Sequence, residues 1–157
     1  MSDNQNHSGV SERVSGGVRL GETTVPLPPS FDAGLYFIGR IRSPWRTPAE
    51  CPHRGDMTGP LCQLEFDSRW SGALSGLELR PELQILYFMH LSRRDLTRQA
   101  PRRRPEPIGT FALRSPARPN PIASSRVALV AVEGCVVHVR GLDCIDGTPL
   151  IDVKPVD

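Results

Sequence analysis

Three groups of residues combine turn formers with polar side chains that a plain connection does not need. The first is the run RSPARPNP, Arg114 to Pro121. Each proline fixes its own φ and disfavours the helical region for the residue before it, so Ser115, Arg118 and Asn120 are held extended. A stiff strap that presents two guanidiniums and one amide loses little entropy when it grips a ligand, and arginine forks suit carboxylates and phosphates. The same arginines would serve equally as partners of a core carboxylate. The second group is GLDCIDGTPLIDVKP, residues 141 to 155, which carries Asp143, Asp146, Asp152 and Lys154, the chain's single lysine. Its Asp146-Gly147-Thr148-Pro149 centre is also ordinary tight-turn chemistry. The third is CPHRGD, residues 51 to 56, together with His90 at the end of an apolar run. A histidine there is either a hydrogen-bonded core residue or a functional group.

Metal chemistry is not expected. Cys51, Cys62, Cys135 and Cys144 are spaced too widely for C-x-x-C knuckles, and His7, His53, His90 and His138 form no ligand spacing. Small buried thiols in a reducing compartment are the expected state. The net charge of +2 selects no partner, but its distribution is uneven. Nine arginines (93, 94, 98, 102, 103, 104, 114, 118 and 126) lie between positions 93 and 126 against Asp95 and Glu106, a local excess of +7 (9 − 2). Such a stripe is either a polyanion-binding face or a solvated loop.

The elements that must position these residues are short. Sixteen prolines and fourteen glycines interrupt the chain too often for long helices. No apolar run approaches the roughly 20 residues of a membrane span, and the polar first thirty residues carry no secretory pattern, so a cytoplasmic protein is expected. Residues 1–33 lack apolar periodicity and read as a disordered or loosely docked arm ahead of a domain at 34–157. Alternation predicts strands from Leu35 to Ile41 and from Leu61 to Phe66. Asp67 is a plausible N-cap for a short helix closed by Gly76. Leu83 to His90 reads as a central core strand, and 92–107 as loop. A short strand at Thr110 to Leu113 follows, then a hairpin of Val127–Val132 and Val136–Val139 about Glu133-Gly134, and a last strand from Leu150 to Val153. About seven strands, one or two short helices and no βαβ rhythm predict a mostly β protein, a small antiparallel β-barrel.

No glycine-rich nucleotide loop follows a strand, so spacing alone announces no cofactor. The runs IGRIRSPW, GTFALRSPARPNPIASSRV and GLDCIDGTPLIDVKPVD, in that order over residues 35 to 157, resemble the TsaA-like family typified by the tRNA methyltransferase TrmO. The resemblance implies a non-Rossmann β-barrel methyltransferase that uses S-adenosyl-L-methionine, works as a homodimer with the cofactor near the subunit boundary, and methylates N6 of threonylcarbamoyladenosine beside a tRNA anticodon. Carried over by motif, the implied cofactor contacts are Pro52, His53, Arg54, His90, Leu91, Arg114, Ser124, Asp146, Gly147, Thr148 and Pro149. Arg102, Arg103, Arg118, Asn120 and Lys154 are expected to meet the RNA. Asp146 is the expected catalytic carboxylate, either accepting the N6 proton or gripping the cofactor ribose. The chain departs from the family pattern where Pro-Arg-Gln is usual at Pro52-His53-Arg54, Gln at Leu91 and Gly at Ala123, which removes two amide side chains from the implied site. Those losses keep two other readings in view: an RNA-binding barrel without catalysis, and a methyltransferase for a small molecule.

Overall fold

The computed structural model describes residues 17–104 and 106–157. Nine strands follow one another: β1 (Thr23–Thr24), β2 (Gly39–Arg42), β3 (Leu61–Phe66), β4 (Glu82–Phe88), β5 (Leu96–Gln99), β6 (Ile108–Gly109), β7 (Ile122–Glu133), β8 (Val136–Arg140) and β9 (Pro149–Pro155). Six of them close an antiparallel barrel in the order β2-β3-β8-β7-β4-β9, while β1-β5-β6 make a small separate sheet. The mostly β, antiparallel-barrel class expected from the sequence is therefore the class found. By internal contacts the described chain forms two units, a barrel unit of residues 33–90 and 122–157 and an arginine-rich unit of residues 17–32 and 91–121.

The barrel follows from period-2 patterning. On β3, Cys62, Leu64 and Phe66 point inward and are buried. Leu83, Ile85 and Tyr87 of β4 meet Val127 of β7, Val137 and Val139 of β8, Ile41 of β2 and Leu150 of β9 in one core. Closing the sheet on itself removes exposed edges, which suits strands that, β7 apart, have only four to seven residues. β7 and β8 form the predicted hairpin, with Gly134 at φ 61° in the turn.

Several boundaries differ from expectation, each for a physical reason. The first barrel strand begins at Gly39, not Leu35, and Leu35, Tyr36 and Phe37 are exposed. Gly39 lies so close to β3 that a Cβ there would sit 2.1 Å from the Glu65 carbonyl oxygen. β4 is not buried on both faces: its alternate residues Gln84, Leu86 and Phe88 are half-buried, Phe88 lying against Phe37 with ring centroids 5.5 Å apart. The 92–107 stretch contains β5, whose Leu-Thr-Arg-Gln carries too little apolar alternation to show in the sequence. The strand expected at Thr110–Leu113 is a 3-10 turn at Thr110–Ala112, because Thr110 turns its hydroxyl onto the Leu96 carbonyl at 2.7 Å. Instead of one or two helices, the described residues form four 3-10 segments, the longest at Ser68–Leu74 with Asp67 capping the Arg69 N–H. Among the described residues no helix is long and apolar enough to cross a membrane.

The arginine-rich unit is built differently. Leu96 and the polar pair Gln99 and Thr110 are its buried centre. The Gln99 amide donates to the Thr110 hydroxyl at 3.1 Å and to the Ala117 carbonyl at 2.7 Å, so one side chain ties β5 to the proline strap. Residues 17–32 join through β1, whose Thr23 hydroxyl meets Thr97 at 2.9 Å, and through the Val25 N–H on the Asp95 carbonyl. The first sixteen residues of the expected arm lie outside the described residues.

Candidate functional site

The Asp146–Pro149 bend is an anchored turn with one free edge. Thr148 and Pro149 are buried, Thr148 folding its hydroxyl back onto the Ile145 carbonyl at 2.7 Å, and Gly147 supplies φ 82°. The bend is sewn to the β2 end of the barrel: Asp146 N–H donates to the Trp45 carbonyl at 2.7 Å and Gly147 N–H to the Ile41 carbonyl at 2.8 Å, while Arg40 donates to the Gly147 carbonyl at 3.1 Å. The carboxylate of Asp146 is thereby held in place. Its Oδ1 accepts the Ser43 N–H at 3.1 Å, and its Oδ2 lies 3.7 Å from Arg42 with the side chain 41 % exposed. Arg42 is shared with Glu65, whose hydrogen bond is the main reason its guanidinium is pushed above its ordinary range.

The Pro52-His53-Arg54 loop is exposed and fixed from behind. At Gly55 the backbone passes so near Gly141 that a Cβ would fall 1.6 Å from the Gly141 carbonyl oxygen. Gly141 itself sits at φ 118°, open to glycine and strained for other residues. Arg140 clamps the far end of the loop through the Gly59 carbonyl at 2.5 Å. Two adjacent glycine backbones therefore set the loop's height above the β8–β9 connection that leads into the bend.

His90 is exposed one residue beyond the Met89 that follows β4. Ser124 faces outward on β7 opposite Leu86, and the Gln84 amide donates to its hydroxyl. Among the described residues the barrel unit thus carries Pro52, His53, Arg54, His90, Ser124 and Asp146–Pro149, whereas Leu91 and Arg114 belong to the arginine-rich unit. A shallow groove of about 270 Å³ is lined by Arg42, Ser43, Pro44, Leu61 and Gln63, and two of these, Arg42 and Ser43, are the residues that hold Asp146. Sequence reasoning missed both, along with Gln84: Ser43-Pro44 reads as a strand stop, and the partner of a turn carboxylate some hundred positions away leaves no local signal.

The arginines divide by use. Arg93 grips Asp95 with two bonds of 2.8 and 2.9 Å, and this holds the Asp95 carboxyl below its ordinary range. Arg94 donates to the Pro119 carbonyl at 2.5 Å and the Asn120 amide oxygen at 3.1 Å, and lies 4.8 Å over the Phe31 ring. Arg118 caps its own strap through the Leu113 and Ser115 carbonyls at 3.1 and 3.2 Å. Arg118 and Asn120, expected to meet the RNA, are thus engaged inside the strap. Arg102, Arg103 and Arg104 are exposed in the connection between β5 and β6. Lys154, also expected to meet the RNA, is paired with Asp152 on β9 at 3.1 Å. Among the described residues no three His, Cys, Asp or Glu side chains group as metal ligands.

Residues 40–156 match the tRNA-methyltransferase O N-terminal domain. A probable S-adenosyl-L-methionine-binding protein, VirR, of Rhizobium radiobacter is 47% identical over 138 residues, covering 88% of this chain and 79% of that protein. The tRNA (adenine(37)-N6)-methyltransferase of Mus musculus is 40% identical over 86 residues, 53% of this chain and 20% of the mouse protein. A crystal structure of TrmO from P. aeruginosa superposes with a TM-score of 0.66 at 30% identity and covers 81% of this chain. This chain spans only 56% of that TrmO chain. With three quarters of its length inside the matched domain and its barrel shared with a solved relative, the chain belongs to the family of the tRNA-methyltransferase O N-terminal domain.

Proposed function

We propose that the chain is an S-adenosyl-L-methionine-dependent methyltransferase that acts on N6 of an adenosine in tRNA, with threonylcarbamoyladenosine beside the anticodon as acceptor. Residues 34–157 act as the methyltransferase domain and 1–33 as an N-terminal arm, the protein working as a homodimer in the cytoplasm. The observation that carries the reading is Asp146: an exposed carboxylate whose orientation is fixed by a backbone N–H and whose turn is buried from behind. Names given to relatives support the rest, since these include S-adenosyl-L-methionine-binding proteins and tRNA (adenine(37)-N6)-methyltransferases.

The residues present fit the cofactor chemically. Its ribose hydroxyls and ammonium want an anionic acceptor, its carboxylate wants a guanidinium, and its adenine wants an apolar face. Asp146 offers the first, Arg54 the second, and the exposed Pro52 the third. When bound, the cofactor supplies a methyl group on a sulfonium for in-line displacement. The barrel's contribution is positioning, the largest lever on such a reaction, because a preset turn need not be ordered at the moment of transfer. Asp146 is proposed to accept a proton or hydroxyl hydrogen bond at Oδ2, the oxygen not taken by Ser43. His53, His90, Ser124, Gly147, Thr148 and Pro149 are proposed as further cofactor contacts on the barrel, and Leu91 and Arg114 are proposed as cofactor contacts as well.

For RNA, the arginines already engaged within the strap are poor candidates, and Arg102, Arg103 and Arg104 are the proposed phosphate contacts. Phe111, 80 % exposed in the same unit, is a face on which a splayed base could stack. Incubating the protein with cofactor and tRNA, followed by mass spectrometry of the nucleosides, tests the reading. A threonylcarbamoyladenosine peak shifted by one methyl group is expected; an unshifted peak beside a methylated small molecule would move the assignment to a small-molecule methyltransferase.

A further inference from the structure

Ser124 and Ser125 are neighbours on β7 and so face opposite sides of the barrel wall. Outside, Ser124 meets Gln84; inside, Ser125 meets a second polar contact that the implied cofactor residues do not include. The phenol of Tyr87, 2 % exposed at the end of β4, lies 2.8 Å from the Ser125 hydroxyl and donates to Asp143 Oδ1 at 2.7 Å. Tyr87 pairs with Ala123, so Ser125 is the diagonal neighbour two residues along on the same face, which is the reach of an aromatic side chain. Asp143 is not on a strand; it belongs to the β8–β9 connection, three residues ahead of Asp146.

The placement joins three elements. β4 leads directly to His90, β7 carries Ser124, and the β8–β9 connection becomes the Asp146–Pro149 bend. On its β2 side the bend is tied by backbone bonds to Ile41 and Trp45 and by Ser43, whose hydroxyl also donates to the Cys144 carbonyl at 2.7 Å. Toward β4 and β7 the connection is tied by Tyr87 to Asp143. A buried tyrosine in an otherwise apolar core is a poor choice for packing alone, because its hydroxyl must find partners; here both partners lie where the site needs its parts aligned. Burial, then the neighbouring Asp143 charge, push the Tyr87 phenol well above its ordinary range, so it stays a donor.

We infer that Tyr87, Ser125 and Asp143 form a positioning triad that sets the Asp146 bend against β4 and β7, so that the phenol acts on ligand binding through the bend and not by touching ligand. This deepens the proposed function, since the ligand named for the bend is that of the preceding section. The physical basis is that a polar tie across a low-dielectric interior is directional where apolar packing is not, and fixes one arrangement of the connection.

Two readouts test it, one free of any ligand. In Tyr87→Phe, amide hydrogen exchange at Asp146, Gly147 and Thr148 is expected to speed up on the order of tenfold or more relative to the β3–β8 amides. A control, Ile85→Val, removes one buried methylene from the same strand outside the triad and should lower the melt without that selective change. Calorimetric titration with S-adenosyl-L-methionine should show Tyr87→Phe weakened roughly tenfold, and Asp143→Asn, which keeps an acceptor for the phenol, weakened less than Asp143→Ala. Exchange at the bend that rises no more in Tyr87→Phe than in Ile85→Val overturns the inference, whatever the ligand does. Wild-type protein that takes up no S-adenosyl-L-methionine, with bend exchange still selectively raised in Tyr87→Phe, sustains the triad and removes the methyltransferase reading.

Discussion

The barrel unit and the arginine-rich unit solve the same problem by opposite means. The barrel buries Ile41, Leu64, Leu83, Ile85, Val127, Val137, Val139 and Leu150 completely, and its register repeats over five to seven paired residues between long neighbours. Among its described residues the arginine-rich unit buries Leu96 and Pro121 and is organised by hydrogen bonds from Gln99, Thr110, Arg94 and Arg118 to backbone carbonyls. Apolar burial is additive and tolerant of exact geometry, whereas a side chain bonded to two carbonyls specifies one geometry and fails as a unit. The proposed cofactor contacts on the barrel stand on a rigid wall, and the arginines proposed for RNA stand on a connection that packing leaves exposed.

The contrast breaks most sharply at the core. Ile85→Ala is expected to destabilise the protein by about 2–5 kcal/mol, the range for a fully buried aliphatic truncation, and chemical denaturation reads it directly. A small loss there would show that the barrel is looser than its burial indicates. Alkaline pH gives the next effect. Burial pushes the Cys62 thiol up to about 11 from an ordinary 9.0, and burial likewise raises Cys144 and Tyr87. Cys62 is held neutral in the folded state, so its contribution is fully present below pH 9 and is lost as pH rises through 11. For Cys62 alone the loss should amount to about 2 kcal/mol at pH 11 relative to pH 8, followed as a falling melting temperature. A flat melt across that interval would place these thiols in contact with water.

Gln99→Ala sharpens the other side of the comparison. It removes the donor shared by Thr110 and Ala117 and should cost about 1–2 kcal/mol, with the loss of hydrogen-exchange protection confined to residues 96–118. The smallest effect on stability belongs to Arg102→Ala and Arg103→Ala, each within about 0.5 kcal/mol of wild type. Their effect should appear elsewhere, as a reduction of roughly one in the salt dependence of RNA binding for each arginine removed. A full-strength salt slope in the double variant would shift the phosphate contacts to other arginines.

How much of this was legible in the sequence follows the same division. Cys62-Leu64-Phe66 and Leu83-Ile85-Tyr87 announce strands because their burial has a period that adjacent residues reveal. The Asp67 cap and the Glu133-Gly134 turn are equally local. β5 was not legible, since Thr97 and Arg98 face solvent and the buried Gln99 is polar, so no apolar period exists to be seen. The candidate site was half visible: the proline strap and the Asp-Gly-Thr-Pro bend stand out by composition, but Ser43 and Arg42 become partners of that bend, and Tyr87 of Asp143 ahead of it, only through barrel closure. The strap also misled. Its prolines do hold Arg118 and Asn120 stiffly, yet the stiffness comes with their hydrogen bonds spent on the strap itself and on Arg94.

The central claim is that the fixed carboxylate of Asp146 holds a sulfonium nucleotide. Isothermal titration of S-adenosyl-L-methionine into the wild-type protein and into Asp146→Ala tests it most directly, with Arg114→Ala alongside to ask whether the arginine-rich unit reaches the same ligand. Saturable heat in the wild type, with affinity at least about tenfold weaker in Asp146→Ala at an unchanged melting temperature, is the predicted result. Equal affinity in the two proteins, or no saturable heat in the wild type at millimolar ligand, would contradict it.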